Sequence, residues 1–97
     1  MAGLIRAVGA AGGFAAVLHK GEREAGTILL VLTENGTESR LFERFPDPER
    51  GLVWQRISPQ NTENQHELSD YLTRRSARDP DLWIVELDVA DGERFVR

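Results

Sequence analysis

A single small α+β domain, ordered helix, four strands, helix, strand, with a mostly antiparallel sheet and a helix packed on one face, is the fold class the sequence predicts. Three observations predict it. A chain of 97 residues has room for one hydrophobic core and not two. Its apolar segments change period along the chain, from helical spacing to the continuous or alternating runs of strands. An Asn35-Gly36 pair separates two such runs, and that dipeptide favours a tight hairpin because both residues tolerate positive φ.

Leu4, Ile5, Val8 and Ala11 recur at helical spacing, and Gly12-Gly13 supplies a stop, so a first helix is predicted over residues 3–11. Phe14 to His19 reads as a first strand, and the charged stretch from Gly21 to Glu24 as a hairpin loop. Ile28, Leu29, Leu30, Val31 and Leu32 in succession describe a strand covered on both faces, which places the segment 27–33 centrally in the sheet. A two-residue turn at Asn35-Gly36 would set Leu30 opposite Leu41 and Leu29 opposite Phe42. Phe45-Pro46-Asp47-Pro48 then ends the third strand, since a proline cannot donate to a ladder. Residues 52–57 alternate weakly as a fourth strand. Thr62 and Gln65 stand at capping-box spacing ahead of Leu68, Tyr71 and Leu72, predicting a second helix over 62–78 that stops at Asp79-Pro80. Leu82 to Leu87 is the fifth strand, expected either beside the fourth in parallel or at the far edge beside the first.

Composition excludes several function classes. Without cysteine there is no disulfide and no thiolate zinc site, which fits a reducing compartment. A net charge of −4 argues against a general nucleic-acid or anionic-membrane binder. The longest charge-free stretch, Ala7 to His19, is too short for the roughly 18–20 apolar residues of a membrane span. Met1 to Leu18 imitates a secretory signal, but Gly12-Gly13 interrupts the apolar run and a cut near Ala15-Ala16 would remove strand residues.

Several segments taken together carry a family resemblance: Ala11-Gly12-Gly13-Phe14-Ala15, Val17-Leu18-His19-Lys20-Gly21, Ala25-Gly26-Thr27 with the apolar run to Leu32, Asp79-Pro80-Asp81-Leu82-Trp83 through Asp88, and Glu93-Arg94-Phe95-Val96. The chain resembles a family of short bacterial proteins catalogued as a domain of unknown function. The resemblance spans nearly the whole chain and implies a free-standing bacterial protein of the cytoplasm. It brings no catalytic residues, cofactor or partner.

Four constellations are candidates for chemistry. Glu86, Asp88 and Asp91, followed by Glu93, would suit a hard cation if they converged; the simpler reading is a strand end leaving the core into solvent. His19 with Lys20, and His66, lack partners at metal-ligand spacing, and no nucleophile-elbow, HExxH or phosphate-loop motif occurs. Arg74, Arg75 and Arg78 would grip phosphates, yet cations at a helix C-terminus are explained by the helix dipole alone. The fourth candidate is the hairpin face carrying Leu29, Val31 and Phe42, rimmed by Arg40 and Arg44 and extended by Trp54 and Arg56. Aromatic and arginine residues together are the stuff of interface hot spots. That face needs a cover, from the short first helix or from a partner.

The function read from this pattern is a non-enzymatic protein-binding or regulatory module of the bacterial cytoplasm, with no cofactor, no metal site and no membrane contact. Leu29, Val31, Arg40, Phe42, Arg44, Trp54 and Arg56 form its partner-binding set, the partner being a second copy of the chain or another protein. The alternative is a metal-dependent nuclease-like enzyme, because the same element order occurs in restriction-endonuclease-like cores. There Glu34 and Glu38-Ser39-Arg40 would have to hold the metal and stand in for the acid-x-lysine pair.

Overall fold

The computed structural model describes residues 2–22 and 27–96. Helix α1 (Ala2–Ala10) ends where glycine permits it to: Gly12 takes φ +84°, and the Gly13 and Gly12 amides donate to the carbonyls of Val8 (2.9 Å) and Gly9 (3.1 Å). That is a Schellman closure, which satisfies carbonyls the helix would otherwise leave bare. Strand β1 (Phe14–His19) follows, then β2 (Ile28–Glu34), β3 (Thr37–Asp47), β4 (Gly51–Ile57), helix α2 (Gln65–Arg78) and β5 (Trp83–Asp88). A 3-10 turn, Gly92–Phe95, closes the order and has no counterpart in the sequence reading.

The five strands form one sheet in the order β1-β5-β2-β3-β4. Strand β2 is central, as its unbroken apolar run requires. Strand β5 occupies neither of the two expected places: it lies between β1 and β2, parallel to β2 and antiparallel to β1. The reason is burial, since Ile84, Val85 and Leu87 are no more than 1% exposed and such a run needs neighbours on both edges and cover on both faces. Strands β1 and β2 therefore do not form a hairpin. Part of the loop expected between them, Arg23 and Glu24, lies outside the described residues.

Asn35 (φ 55°) and Gly36 (φ 73°) make the predicted two-residue turn, flanked by the pair Glu34–Thr37. One step on, the register slips. Glu38 also has positive φ (55°), and Glu38 and Ser39 together span the stretch that Thr33 spans on β2, a bulge. The expected pairs Leu30–Leu41 and Leu29–Phe42 are thus corrected to Val31–Leu41 and Leu30–Phe42. Strand β3 also runs through Pro46, which pairs with Leu52 of β4. The β2 ladder begins at Ile28–Arg44, so the donor missing at Pro46 falls outside it.

Helix α2 starts three residues later than predicted. Asn64, with extended backbone, is its N-cap, accepting from the Glu67 amide (2.8 Å) and donating to the Glu67 carboxylate (2.6 Å), while the Thr62 hydroxyl turns back to the Pro59 carbonyl. The N-cap thus lies two positions further along than Thr62, and its reciprocal bond runs between the two side chains rather than to the cap's backbone amide as in a capping box.

Both sheet faces are covered, which corrects the expectation of a helix on one face only. On one side Leu68, Tyr71 and Leu72 of α2 pack on Leu29, Val31, Leu41 and Ile84. On the other, Leu4 and Val8 of α1 with Phe95 and Val96 pack on Leu30, Leu32, Val85 and Leu87. Strand β2 is consequently buried at six successive positions. Each fully buried aliphatic side chain here is worth roughly 1.5–3 kcal/mol, so the β2–β5 centre holds the fold. Helix α2 is also pinned to β3 by Arg75, which donates to the Glu43 carboxylate (2.6 Å) and the Tyr71 hydroxyl (2.8 Å).

Candidate functional site

The bulge at Glu38 redistributes the predicted partner-binding set. Residues paired across a sheet share a face, so Arg40, Phe42 and Arg44 lie with Leu32, Leu30 and Ile28, and Leu29 and Val31 lie on the opposite side. The β3–β4 register adds Arg56 opposite Phe42 and Trp54 opposite Arg44. Arg40, Phe42, Arg44, Trp54 and Arg56 are therefore brought together, as predicted. Leu29 (0% exposed) and Val31 (1%) are not: they are sealed beneath α2. Phe42 is itself 7% exposed and belongs to the core cluster with Val8, Val89 and Val96. A homodimer that buries Leu29, Val31 and Phe42 thus has no free apolar surface to bury, and that version of the interface is corrected.

What remains is a platform on the open half of this face. Helix α1 packs over β1 and β5 and the 3-10 turn packs over β2, leaving the β3–β4 half without a helix above it. Leu52 is 54% exposed there, beside Pro46, and Trp54 is half-buried with the Arg44 guanidinium 5.6 Å from its ring centroid. Arg40 and Arg56 both reach Glu93 of the 3-10 turn, at 3.0 and 3.8 Å. The platform therefore carries three guanidinium groups, of which Arg40 and Arg56 share the Glu93 carboxylate while Arg44 lies over the Trp54 ring. Burial pushes the Arg44 guanidinium below its ordinary range, and Nε of Arg40 and of Arg44 is buried without a hydrogen-bond partner. Stacked, incompletely satisfied arginines beside exposed apolar carbon suit a ligand that brings carboxylates and an aliphatic or aromatic group together.

The other candidates separate. The Asp88 carboxylate accepts from the Asn35 amide (2.8 Å) and the Gly36 amide (3.1 Å), clamping the β2–β3 turn, while Glu93 serves the arginines. Glu34 and Glu38 stand on either side of the same turn, and among the described residues no group of three or more His, Cys, Asp or Glu side chains comes together to hold a metal ion. His19 meets the Leu82 carbonyl at 2.6 Å through Nδ1; His66 is exposed on α2, 3.5 Å from Asp70. Arg75 is committed to Glu43 and Tyr71, and Arg74 and Arg78 are exposed. Sequence reasoning missed Glu93 as the arginines' counter-ion, because nothing local announces the 3-10 turn. It also missed the exposure of β1, although the charge-free stretch from Ala7 to His19 was the available signal. Among the described residues no helix is long and apolar enough to cross a membrane.

The chain belongs to the family described as Protein of unknown function (DUF1491), whose model matches residues 1–97. It is similar to a DUF1491 family protein from Caulobacter crescentus CB15 solved by crystallography, with 30% identity and a TM-score of 0.77, covering 97% of this chain and 87% of that one. An NMR structure of a DUF1491 family protein from the same organism gives 31% identity and a TM-score of 0.76, covering 98% and 86%. A protein from A. tumefaciens, solved in solution, gives 28% and 0.72, covering 98% and 86%. No curated protein matches the chain.

Proposed function

We propose that this protein is a non-enzymatic binding module of the bacterial cytoplasm that recognises an acidic protein segment on its β3–β4 face. The observation that carries the reading is the local reversal of charge: in a chain of net charge −4, Arg40, Arg44 and Arg56 share one sheet face with Trp54, and among the described residues Glu93 is the one carboxylate that pairs with any of them. Keeping charged groups half-desolvated costs free energy, and a partner's carboxylates would recover it. Leu52 and the Trp54 ring supply the apolar contact that a purely ionic site lacks.

The test is an NMR titration with synthetic peptides rich in Asp and Glu that also carry Leu or Phe, with basic peptides of equal length as controls. Acidic peptides should move the Trp54 indole signal while leaving that of Trp83, whose Nε1 donates to the Glu22 carbonyl, in place. Arg44→Glu should abolish the shift. An unmoved Trp54 indole, or equal shifts with basic peptides, would sink the proposal.

A further inference from the structure

We propose that the free edge of β1 pairs antiparallel with β1 of a second copy of the chain, joining two sheets into one. This surface is at the opposite edge from the β3–β4 platform, so the inference stands apart from the acidic-segment reading.

Strand β1 is an edge strand, and every other backbone amide and carbonyl along it points away from β5. Natural edges are guarded by charges, prolines or inward-pointing polar groups. This one has no charged side chain between Ala7 and His19, and it exposes Phe14 at 77%, Val17 at 47% and Leu18 at 49%. Its only irregularity is a bulge at the C-terminal end, where Leu18 and His19 both fall opposite Ile84, leaving Phe14 to Val17 in regular register.

The strand is its own complement. A two-fold axis perpendicular to the sheet makes the pairing antiparallel and keeps each face with its like, so paired residues must lie on the same side. Phe14 and Ala16 share the α2 side with Asp88 and Glu86; Ala15 and Val17 share the α1 side with Leu87 and Val85. The register that uses Phe14 to Leu18 sets Ala16 against its own copy on the axis, Ala15 against Val17, and Phe14 against Leu18. Small residues then meet at the centre and large apolar ones at the ends.

That register also gives Phe14 a seat. Between β1 and α2 lies a groove of about 240 Å³ lined by Leu18, His19, Leu72, Thr73 and Ile84 among others. Phe14 of the second copy arrives beside Leu18 on the same side of the sheet, next to this groove. The contact edge is only about 20 Å long, at roughly 3.3 Å per residue. It buries several hundred Å² per copy, below the roughly 800 Å² of a standard stable interface. The dimer is accordingly a concentration-dependent one.

Cross-linking tests the register directly. The chain has no cysteine, so Ala16→Cys introduces the single thiol. Directly opposed residues of an antiparallel pair have Cα atoms about 4.5–5.5 Å apart, inside the range a disulfide spans. Mild oxidation should give cross-linked dimer in high yield from Ala16→Cys and little from Leu52→Cys on the opposite edge. In sedimentation the wild type should pass from monomer to dimer between low micromolar and millimolar concentration, and Phe14→Ser should stay monomeric with an unchanged unfolding midpoint. Should Phe14→Ser fail to fold, Ala16→Lys, exposed on the axis, decides in its place. A wild type that is monomeric throughout, equal cross-linking of the two cysteine variants, or a dimer that survives either substitution at the edge would overturn the proposal.

Discussion

The two edges of the sheet are built from opposite materials. Strand β4 presents Trp54, Gln55 and Arg56, with Pro46 on the strand beside it and Arg56 reaching back to Glu93. Strand β1 presents Phe14, Ala15, Ala16, Val17 and Leu18, with no charge at all. Among the described residues, both leave one row of backbone groups without a strand partner. A guarded edge repels a foreign strand and leaves recognition to side chains, whereas a bare one invites main-chain pairing. The two contacts proposed for this sheet, one through side chains and one through main chain, follow that difference between its ends. The β2–β5 centre between them carries the stability that lets neither edge matter much for folding.

The division of labour between centre and edges predicts the largest effect. Leu30→Ala removes a fully buried side chain between β3 and β5 and should cost about 2–5 kcal/mol in urea unfolding. Leu52→Ala, at a position 54% exposed, should stay within about 0.5 kcal/mol of wild type. Comparable losses at the two sites would mean that β4 belongs to the folding core, and the contrast between centre and edge would collapse.

Local signals carried most of the fold in the sequence. The Gly12 stop of α1, the Asn35-Gly36 turn, the buried run of β2 and the apolar run of β5 all rest on residues close in sequence, and each is in the structure. What was illegible is non-local or locally costly. Nothing near Leu82 to Leu87 says that this strand enters between β1 and β2, because that choice is made by burial on both faces of a sheet already assembled. Nothing near Glu38 announces a left-handed glutamate, a conformation its sequence neighbours do not favour. That single bulge moved Leu29 and Val31 from the predicted site to the α2 side, while Arg40, Phe42, Arg44, Trp54 and Arg56 stayed together because they shift as one set with β3 and β4. The candidate site was legible in its arginines and Trp54, and illegible in Leu29, Val31 and Phe42, which lie in the core.

The turn that sets this register predicts the next effect. Gly36 has φ 73°, and Gly36→Val would force a β-branched residue into the left-handed region at a cost of about 1–3 kcal/mol. Because Asp88 clamps both turn amides from β5, the loss should also appear as faster hydrogen exchange at Asn35 and Gly36. The variant sharpens the comparison of edges as well. Loosening the turn disturbs β3 and with it the arginine platform of the β4 edge, so acidic-peptide binding should weaken while β1 cross-linking through Ala16→Cys persists. Wild-type stability in Gly36→Val would contradict the turn geometry on which the face assignment depends.

The smallest effect on stability, and the finest test of the guarded edge, is expected from Arg56→Ala. The Arg56 guanidinium stands 3.8 Å from Glu93, and the two side chains are 58% and 43% exposed, so their attraction is screened by water. Glu93 also keeps its closer partner, Arg40 at 3.0 Å, whose side chain is 22% exposed. Thermal or urea unfolding of Arg56→Ala should therefore differ from wild type by no more than about 0.5 kcal/mol. Recognition is another matter, because a partner's carboxylates would draw on every cation of the platform at once. Affinity for the acidic peptides should fall in Arg56→Ala, and the difference from wild type should shrink as salt is raised and the exposed charge is screened. If the variant instead unfolds well below the wild type while binding the peptides equally, Arg56 is a structural brace. The β4 edge would then lose its claim to be the recognition end of the sheet.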